Sequence, residues 1–160
     1  MSLVKEEDRF AKNAAVMGEI MIECVETLQK RGYKTTDPGL LRLVASFIPT
    51  IDPKRIIQEF ITRSHSQCWD AIKEKKEDFF INNAHDIFGF LPAEHVNIFR
   101  ELFLTRDEKG KAVISQEYKE QIWDLFFAMV KISIKYCYKN PTLIEKDELD
   151  RHREKWGVKI

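Results

Sequence analysis

The sequence is poor in the residues that build turns and flexible segments. Only 6 glycines and 5 prolines occur among 160 residues, which argues against a disordered chain and against a turn-rich β-sandwich. The apolar fraction is 44% and the charged fraction 32%, so the chain can build a core and keep a polar surface. A chain of this length is expected to form one domain.

No charge of one sign predominates either. The 26 Lys and Arg residues balance the 26 Asp and Glu residues, so the net charge provides no overall attraction to nucleic acid or to an anionic membrane. A chain with little net charge meets little long-range repulsion from its own copies, which favours self-association. We therefore expect a protein partner or a second copy in preference to nucleic acid.

Cysteine is scarce, and long apolar runs are absent. The three cysteines, Cys24, Cys68 and Cys137, are odd in number and far apart, which predicts free thiols in a reducing compartment. The first residues lack the apolar region of a signal peptide. The longest apolar run, 125–130, has six residues, whereas a membrane span needs about 20. We expect a soluble, intracellular, cytoplasmic protein without a membrane span.

Apolar residues recur at helical spacing along most of the chain. Residues 4–31 predict one long helix. The pairs Asp37-Pro38 and Asp52-Pro53 each predict a helix start, because Asp is a good N-cap and Pro is favoured at the first helical position. Residues 67–88 predict one kinked helix or two short ones, and Pro92 predicts another start. The first of the two Asp-Pro helices would carry the apolar residues Leu40, Leu41, Val44 and Phe47.

The most apolar helical segment is 116–139, for which Ser115 is a suitable N-cap. A helix this apolar is expected to be packed on most sides. The preceding segment, 105–115, predicts a loop that turns at Gly110. The predicted fold is all-α: a single compact bundle of about six or seven helices around 116–139, with a domain over residues 1–141.

Residues 142–160 form a charged C-terminal tail with a short docking helix as its expected structure. Leu149, Trp156 and Val158 supply apolar side chains within it. Two interpretations stay open: the three side chains dock on their own bundle, or they anchor a protein partner, since buried Trp residues dominate interface energies.

Two clusters are candidates for chemistry. His65 and Cys68 are spaced so that one helical face could carry both, which suits a zinc ligand pair or a thiol with a base. A second pair at zinc-finger spacing is missing from the sequence. The other cluster is polar and lies between Phe80 and Phe88; its members are Asn82, Asn83, His85 and Asp86. In it, Asn83 is expected to make a buried hydrogen bond.

Conventional reactive motifs are absent from the sequence: it has no Gly-rich phosphate loop, no GxSxG and no HExxH. The loop at 105–116 fails as a calcium-binding EF-hand, because Thr105 and Gln116 stand where carboxylates are needed. We therefore assign no catalytic, cofactor-binding or metal-ligating residue and expect no cofactor.

A nucleic-acid alternative comes from residues 37–63. The two predicted helices there could form a helix-turn-helix-like hairpin whose second helix presents Lys54, Arg55, Gln58 and Arg63 outward. These residue types contact phosphates and base edges. The alternative function is a nucleic-acid-binding regulator.

The arrangement of residues 40–138 resembles small uncharacterised helical proteins of large double-stranded DNA viruses. The resemblance rests on Trp69 followed by an acid-and-Lys stretch, on the helix IWDLFF…VKISIKY, and on four residue pairs: Phe79-Phe80, Asn83-Ala84, Ile87-Phe88 and Leu91-Pro92. It implies a virus-encoded helical protein in virions or in infected cytoplasm, and it implies no chemistry.

Together these observations predict a non-enzymatic protein–protein interaction or structural-assembly module. The expected contact surface is an apolar helix face. The expected partner is a protein or a second copy of the chain.

Overall fold

The computed structural model describes residues 5–33, 39, 42–43, 46, 48–88 and 93–160. Its regular structure is helical, so the all-α prediction is confirmed. A 3-10 turn spans Ile48–Thr50, and an isolated antiparallel bridge joins Arg106 to Ala112. The described residues contain eight α-helices: α1 Glu6–Lys30, α2 Pro53–Ser64, α3 Cys68–Lys73, α4 Glu77–Asn82, α5 Ala84–Ile87, α6 Ala93–Leu104, α7 Gln116–Lys139 and α8 Lys146–Trp156.

Some predicted features lie outside the described residues. They are the helix start at Asp37-Pro38, the apolar positions Leu40, Leu41, Val44 and Phe47, and the start at Pro92. The start at Asp52-Pro53 is confirmed, because the Asp52 carboxylate accepts a hydrogen bond from the Lys54 backbone N–H at 3.1 Å. Pro53 is the first residue of α2.

The two long helices, α1 and α7, pack against each other in antiparallel directions. At one end, the Lys139 Nζ atom donates to the Glu6 carboxylate at 2.8 Å. At the other end, Arg31 reaches the Val113 carbonyl at 3.5 Å. Both helices bury the apolar faces predicted from their spacing. Helix α2 also packs on α1, with the rings of Phe10 and Phe60 5.0 Å apart.

The segment predicted as one kinked helix or two short ones forms three short helices, α3 to α5. Helix α3 ends because Lys75 takes a left-handed conformation, at φ 54°. The next backbone N–H, of Lys76, then donates back to the Ala71 carbonyl at 2.8 Å, which is the Schellman ending. Asn83 separates α4 from α5. The helix count therefore exceeds six or seven.

The tail over 142–160 shares the apolar core of the rest of the described chain. Helix α8 buries Leu149, His152 and Trp156 at helical spacing. Gly157, at φ 64°, ends the helix in the left-handed conformation that glycine adopts without strain. Val158 is then buried as well.

Among the helices of the described ranges, none is both long enough and apolar enough to cross a bilayer.

The start of α7 offers a test of local stabilisation. The Ser115 Oγ atom accepts a hydrogen bond from the Tyr118 backbone N–H at 3.2 Å, which confirms Ser115 as the N-cap. We expect Ser115→Ala to lower the free energy of unfolding by about 1 kcal/mol, since it removes the cap. Urea denaturation measures the loss. Ser115→Asp, which keeps an acceptor, should retain the stability of the parent, and an equal loss in both variants would contradict the capping role.

Candidate functional site

Helix α8 contacts α3 and the residues just before it through four side chains, here called the histidine cluster: His65, Trp69, Glu148 and His152. Trp69 is 0% exposed and His152 is 1% exposed. Their ring centroids are 4.9 Å apart at an interplanar angle of 65°. The Trp69 indole N–H donates to the Ser64 hydroxyl at 2.9 Å, and that hydroxyl donates to the Phe60 carbonyl. The indole is thus fully packed and hydrogen-bonded.

Two contacts that involve carboxylates join α8 to the residues around Trp69. The His65 Nδ1 atom lies 2.6 Å from a Glu148 carboxylate oxygen, although the pair lacks the alignment of a hydrogen bond. Lys155 donates to the Asp70 carboxylate at 2.9 Å on the exposed side. These pairs fix the register of α8 on the bundle.

The His152 imidazole is the least satisfied polar group in the cluster. Neither ring nitrogen has an aligned hydrogen-bond partner. Burial lowers the pKa of His152. The carboxylates of Glu148 and Asp70 and the backbone of His65 raise that pKa, and Arg151 lowers it, but burial is the largest contribution. The ring is therefore held neutral, as part of the docked interface.

The three cysteines are buried free thiols. Burial raises the pKa of Cys24 and of Cys68 to about 11 and the pKa of Cys137 to about 12. A reactive cysteine needs a lowered pKa and an electropositive environment, so the surroundings of Cys68 oppose nucleophilic chemistry. The structure places His65 against Glu148. Within the described ranges, no three His, Cys, Asp or Glu side chains converge as a metal site requires.

The polar cluster around Asn83 ties helices together. The Asn83 side chain is half-buried and donates to the Phe79 carbonyl at 2.8 Å. A ring nitrogen of His85 lies 2.9 Å from the Asn97 amide oxygen, which links α5 to α6. Asn82, His85 and Asp86 are exposed. The Asn83 bond is local to the end of α4, whereas the His85 contact joins two helices.

The four residues of the nucleic-acid alternative divide into two pairs. Lys54 and Arg55 are exposed at the start of α2. The Gln58 amide instead donates to the Tyr136 hydroxyl at 3.0 Å. Arg63 donates to the Glu59 carboxylate at 2.9 Å and to the Asp86 carbonyl at 3.2 Å. Gln58 is half-buried and Arg63 is exposed, and both side chains thus form hydrogen bonds within their own chain.

The tail residues predicted as a docking plug or as a partner anchor are placed in the chain's own core. Leu149, Trp156 and Val158 are 2%, 3% and 7% exposed. The Trp156 ring packs on Phe127 with centroids 5.4 Å apart, and the Lys73 Nζ atom lies 5.0 Å from its centroid. In this arrangement the three side chains offer almost no surface to a partner.

An open groove of about 640 Å³ lies between the end of α7 and α8. Its walls carry both Lys146 and Arg153 and the acid Asp150. The Tyr138 hydroxyl donates to the Asp150 carboxylate, and Arg153 donates to the Val158 carbonyl at 3.2 Å. The walls also carry Glu154 and Lys159, so charges of both signs line the groove and it does not select a ligand of one charge.

The outward face of α7 carries charges that are separated by sign along the helix. The exposed acids occupy its first half and the exposed lysines its second half, and Ala128 is half-buried between them. We call this line of residues the α7 stripe: Glu117, Glu120, Asp124, Ala128, Lys131, Lys135 and Lys139. This order of signs cannot be seen in the net charge, which carries no positional information. The sequence signal for the stripe is the helical spacing of its charged residues, which recur every three or four positions.

Comparison with protein families, with curated proteins and with solved structures finds no match for this chain. Any functional assignment therefore has to come from the side chains described above.

Proposed function

We propose that this chain is a non-enzymatic protein–protein interaction or structural-assembly module. The observation that carries the proposal is the α7 stripe, on which exposed charges of opposite sign occupy opposite halves of the central helix. Among the described residues, Lys139 is the member of the stripe that forms a salt bridge, with Glu6. Ordered charges, all but one of them without a salt bridge among the described residues, suit the selection and orientation of a polar partner.

The contact surface proposed here is charged, in contrast to the apolar face expected from the sequence. In the described part of the chain, the exposed large apolar side chains are Val16, Leu43, Leu104 and Ile160. They belong to separate parts of the chain, and single exposed apolar residues are normal on a soluble surface. The apolar side chains that seemed plentiful in the sequence are used within the core.

A photo-crosslinking amino acid at Gln121 tests the proposal in the source cell. Gln121 is exposed and lies beside the α7 stripe. We expect a discrete protein adduct, which weakens when Lys131 and Lys135 are both changed to Glu. The same probe at Thr62, exposed on α2, is the control and should give no such adduct. Equal labelling at both positions, or none at Gln121, would contradict the proposal.

Nucleic-acid binding through α2 is the second candidate, and the exposed pair Lys54 and Arg55 favours it. Fluorescence anisotropy with a labelled duplex at low salt tests it. If it holds, affinity falls with rising salt and is lost in the double variant Lys54→Glu, Arg55→Glu. An absence of binding at low salt removes this candidate. The virus-encoded origin implied by the resemblance stays a prediction.

A further inference from the structure

The α7 stripe is a single straight line on the helix surface. Its members are spaced by three or four residues, which keeps them on one face of an α-helix. From Glu117 to Lys139 the helix rises about 33 Å. The first three positions are acidic, the last three are lysines, and the alanine lies midway.

This order of charges is self-complementary in one orientation. A two-fold axis through Ala128 turns a second α7 antiparallel to the first, and its acidic half then faces the basic half of the first. Asp124 comes opposite Lys131, Glu120 opposite Lys135, and Glu117 opposite Lys139. A two-fold axis repeats each contact, as isologous interfaces require. A parallel arrangement would place like charges opposite each other.

We propose that two copies of this chain associate through antiparallel α7 stripes. The inference rests on the proposed interaction function and names its partner as a second copy. Ala128 at the centre allows the two helix backbones to approach closely, because it is the one small side chain in the line. The longer lysine side chains at the ends span the widening gap between crossing helices.

Helix α1 places further acids beside the acidic half of the stripe. The antiparallel packing brings Glu6 to Lys139, and it brings Glu23 to Tyr118 near the start of α7. The exposed acids Glu19 and Glu23 therefore belong to the same end of the molecule as the acidic half of the stripe.

The association is expected to be weak and sensitive to salt. Exposed ion pairs contribute little individually, and salt screens them over about 10 Å at 0.1 M ionic strength. We expect dimers at low salt and high protein concentration. Raising the salt to 0.5 M should weaken dimerisation by about tenfold or more.

Analytical ultracentrifugation of paired charge reversals tests the proposal. One variant carries Lys131→Glu and Lys135→Glu, and the other carries Glu120→Lys and Asp124→Lys. We expect each variant alone to be monomeric and an equimolar mixture to form a heterodimer. The matched control for the lysine variant is Lys54→Glu with Arg55→Glu, which makes the same change in net charge away from the stripe and should leave the dimer intact. Circular dichroism checks that every variant is folded.

Three results would overturn the proposal: a parent chain that stays monomeric at low salt, variants that still dimerise alone, or a mixture that does not associate. These results are distinguishable from failure of the proposed function. If the parent is monomeric while Gln121 crosslinks to a different protein, the interaction function stands and self-pairing falls. If the adduct at Gln121 is a second copy, both stand.

Discussion

Replacing Trp69 by alanine is expected to lower the free energy of unfolding by about 3–5 kcal/mol. The indole is fully buried between α2, α3 and α8, where it contacts the rings of His65 and His152. Truncation leaves a cavity that the surrounding helices can fill only in part. Because a domain of ordinary stability has about 5–15 kcal/mol in total, the loss removes a large share. Urea denaturation followed by far-UV circular dichroism measures it.

The variant Trp69→Phe separates the contribution of packing to the free energy of unfolding from that of the hydrogen bond. The phenyl ring keeps most of the apolar contact but loses the N–H that donates to Ser64. The Ser64 hydroxyl keeps its own bond to the Phe60 carbonyl, so no donor is left unpaired. We expect a loss clearly smaller than that of the alanine variant, of about 1–2 kcal/mol. A loss below 1 kcal/mol for Trp69→Ala would mean that α8 does not depend on this contact.

A permanent charge at position 152 is expected to cost several kcal/mol. The His152 imidazole is 1% exposed and lacks an aligned partner for either nitrogen. A lysine there would bury an ammonium group, although Glu148 and Asp70 are near enough to reduce the cost. We expect His152→Lys to undock α8 or unfold the chain, detected by limited proteolysis within 142–160. Glu154→Lys, on the exposed side of the same helix, is the control and should change stability by less than about 0.5 kcal/mol.

The same ring predicts a dependence of stability on pH. In the unfolded chain the pKa of His152 takes its ordinary value of 6.5, and in the folded chain burial lowers it. As pH falls, the unfolded chain takes up the proton first, so the free energy of unfolding is retained above about pH 6.5 and decreases below it. The decrease ends at the folded-state pKa, and each unit of lowering corresponds to about 1.4 kcal/mol.

His152→Phe removes this titration while keeping an aromatic ring against Trp69. The informative quantity is the difference in the free energy of unfolding between the parent and the variant across pH 5–7. We expect the parent to lose more stability than the variant on acidification. Parallel curves would show that His152 does not titrate on unfolding.

The long helices could be predicted from the sequence because their apolar period runs without interruption. Residues 4–31 and 116–139 bury the faces that their spacing indicates. The ends of the short helices could not be predicted from the sequence. Helix α3 is ended by Lys75, which is left-handed, and the usual sequence signal for such an end is a glycine. Periodicity tells which face of a helix is buried but not which element covers it.

The candidate site could not be predicted from the sequence, because it is formed by residues that are distant along the chain. The approach of Glu148 to His65 joins residues that no local pattern connects. The tail sequence allowed Trp156 to be a plug or an anchor, and only the packing of Phe127 on that ring places it in the core. The balanced charge count likewise did not show the order of signs on α7. The charged residues form a continuous exposed line only because the other faces of the helix are packed.

The antiparallel pairing of α1 with α7 also bears on how fast the chain can fold. Glu6 and Lys139 are 133 positions apart along the chain, so the central contact of the bundle closes a loop that contains most of the protein. Helical proteins usually fold quickly because their contacts are local, and rates fall as the mean sequence separation of contacts increases. The entropy lost in closing such a loop must be compensated before α1 and α7 bury any surface together. We therefore expect slower folding than in a bundle of the same size whose neighbouring helices are consecutive in sequence.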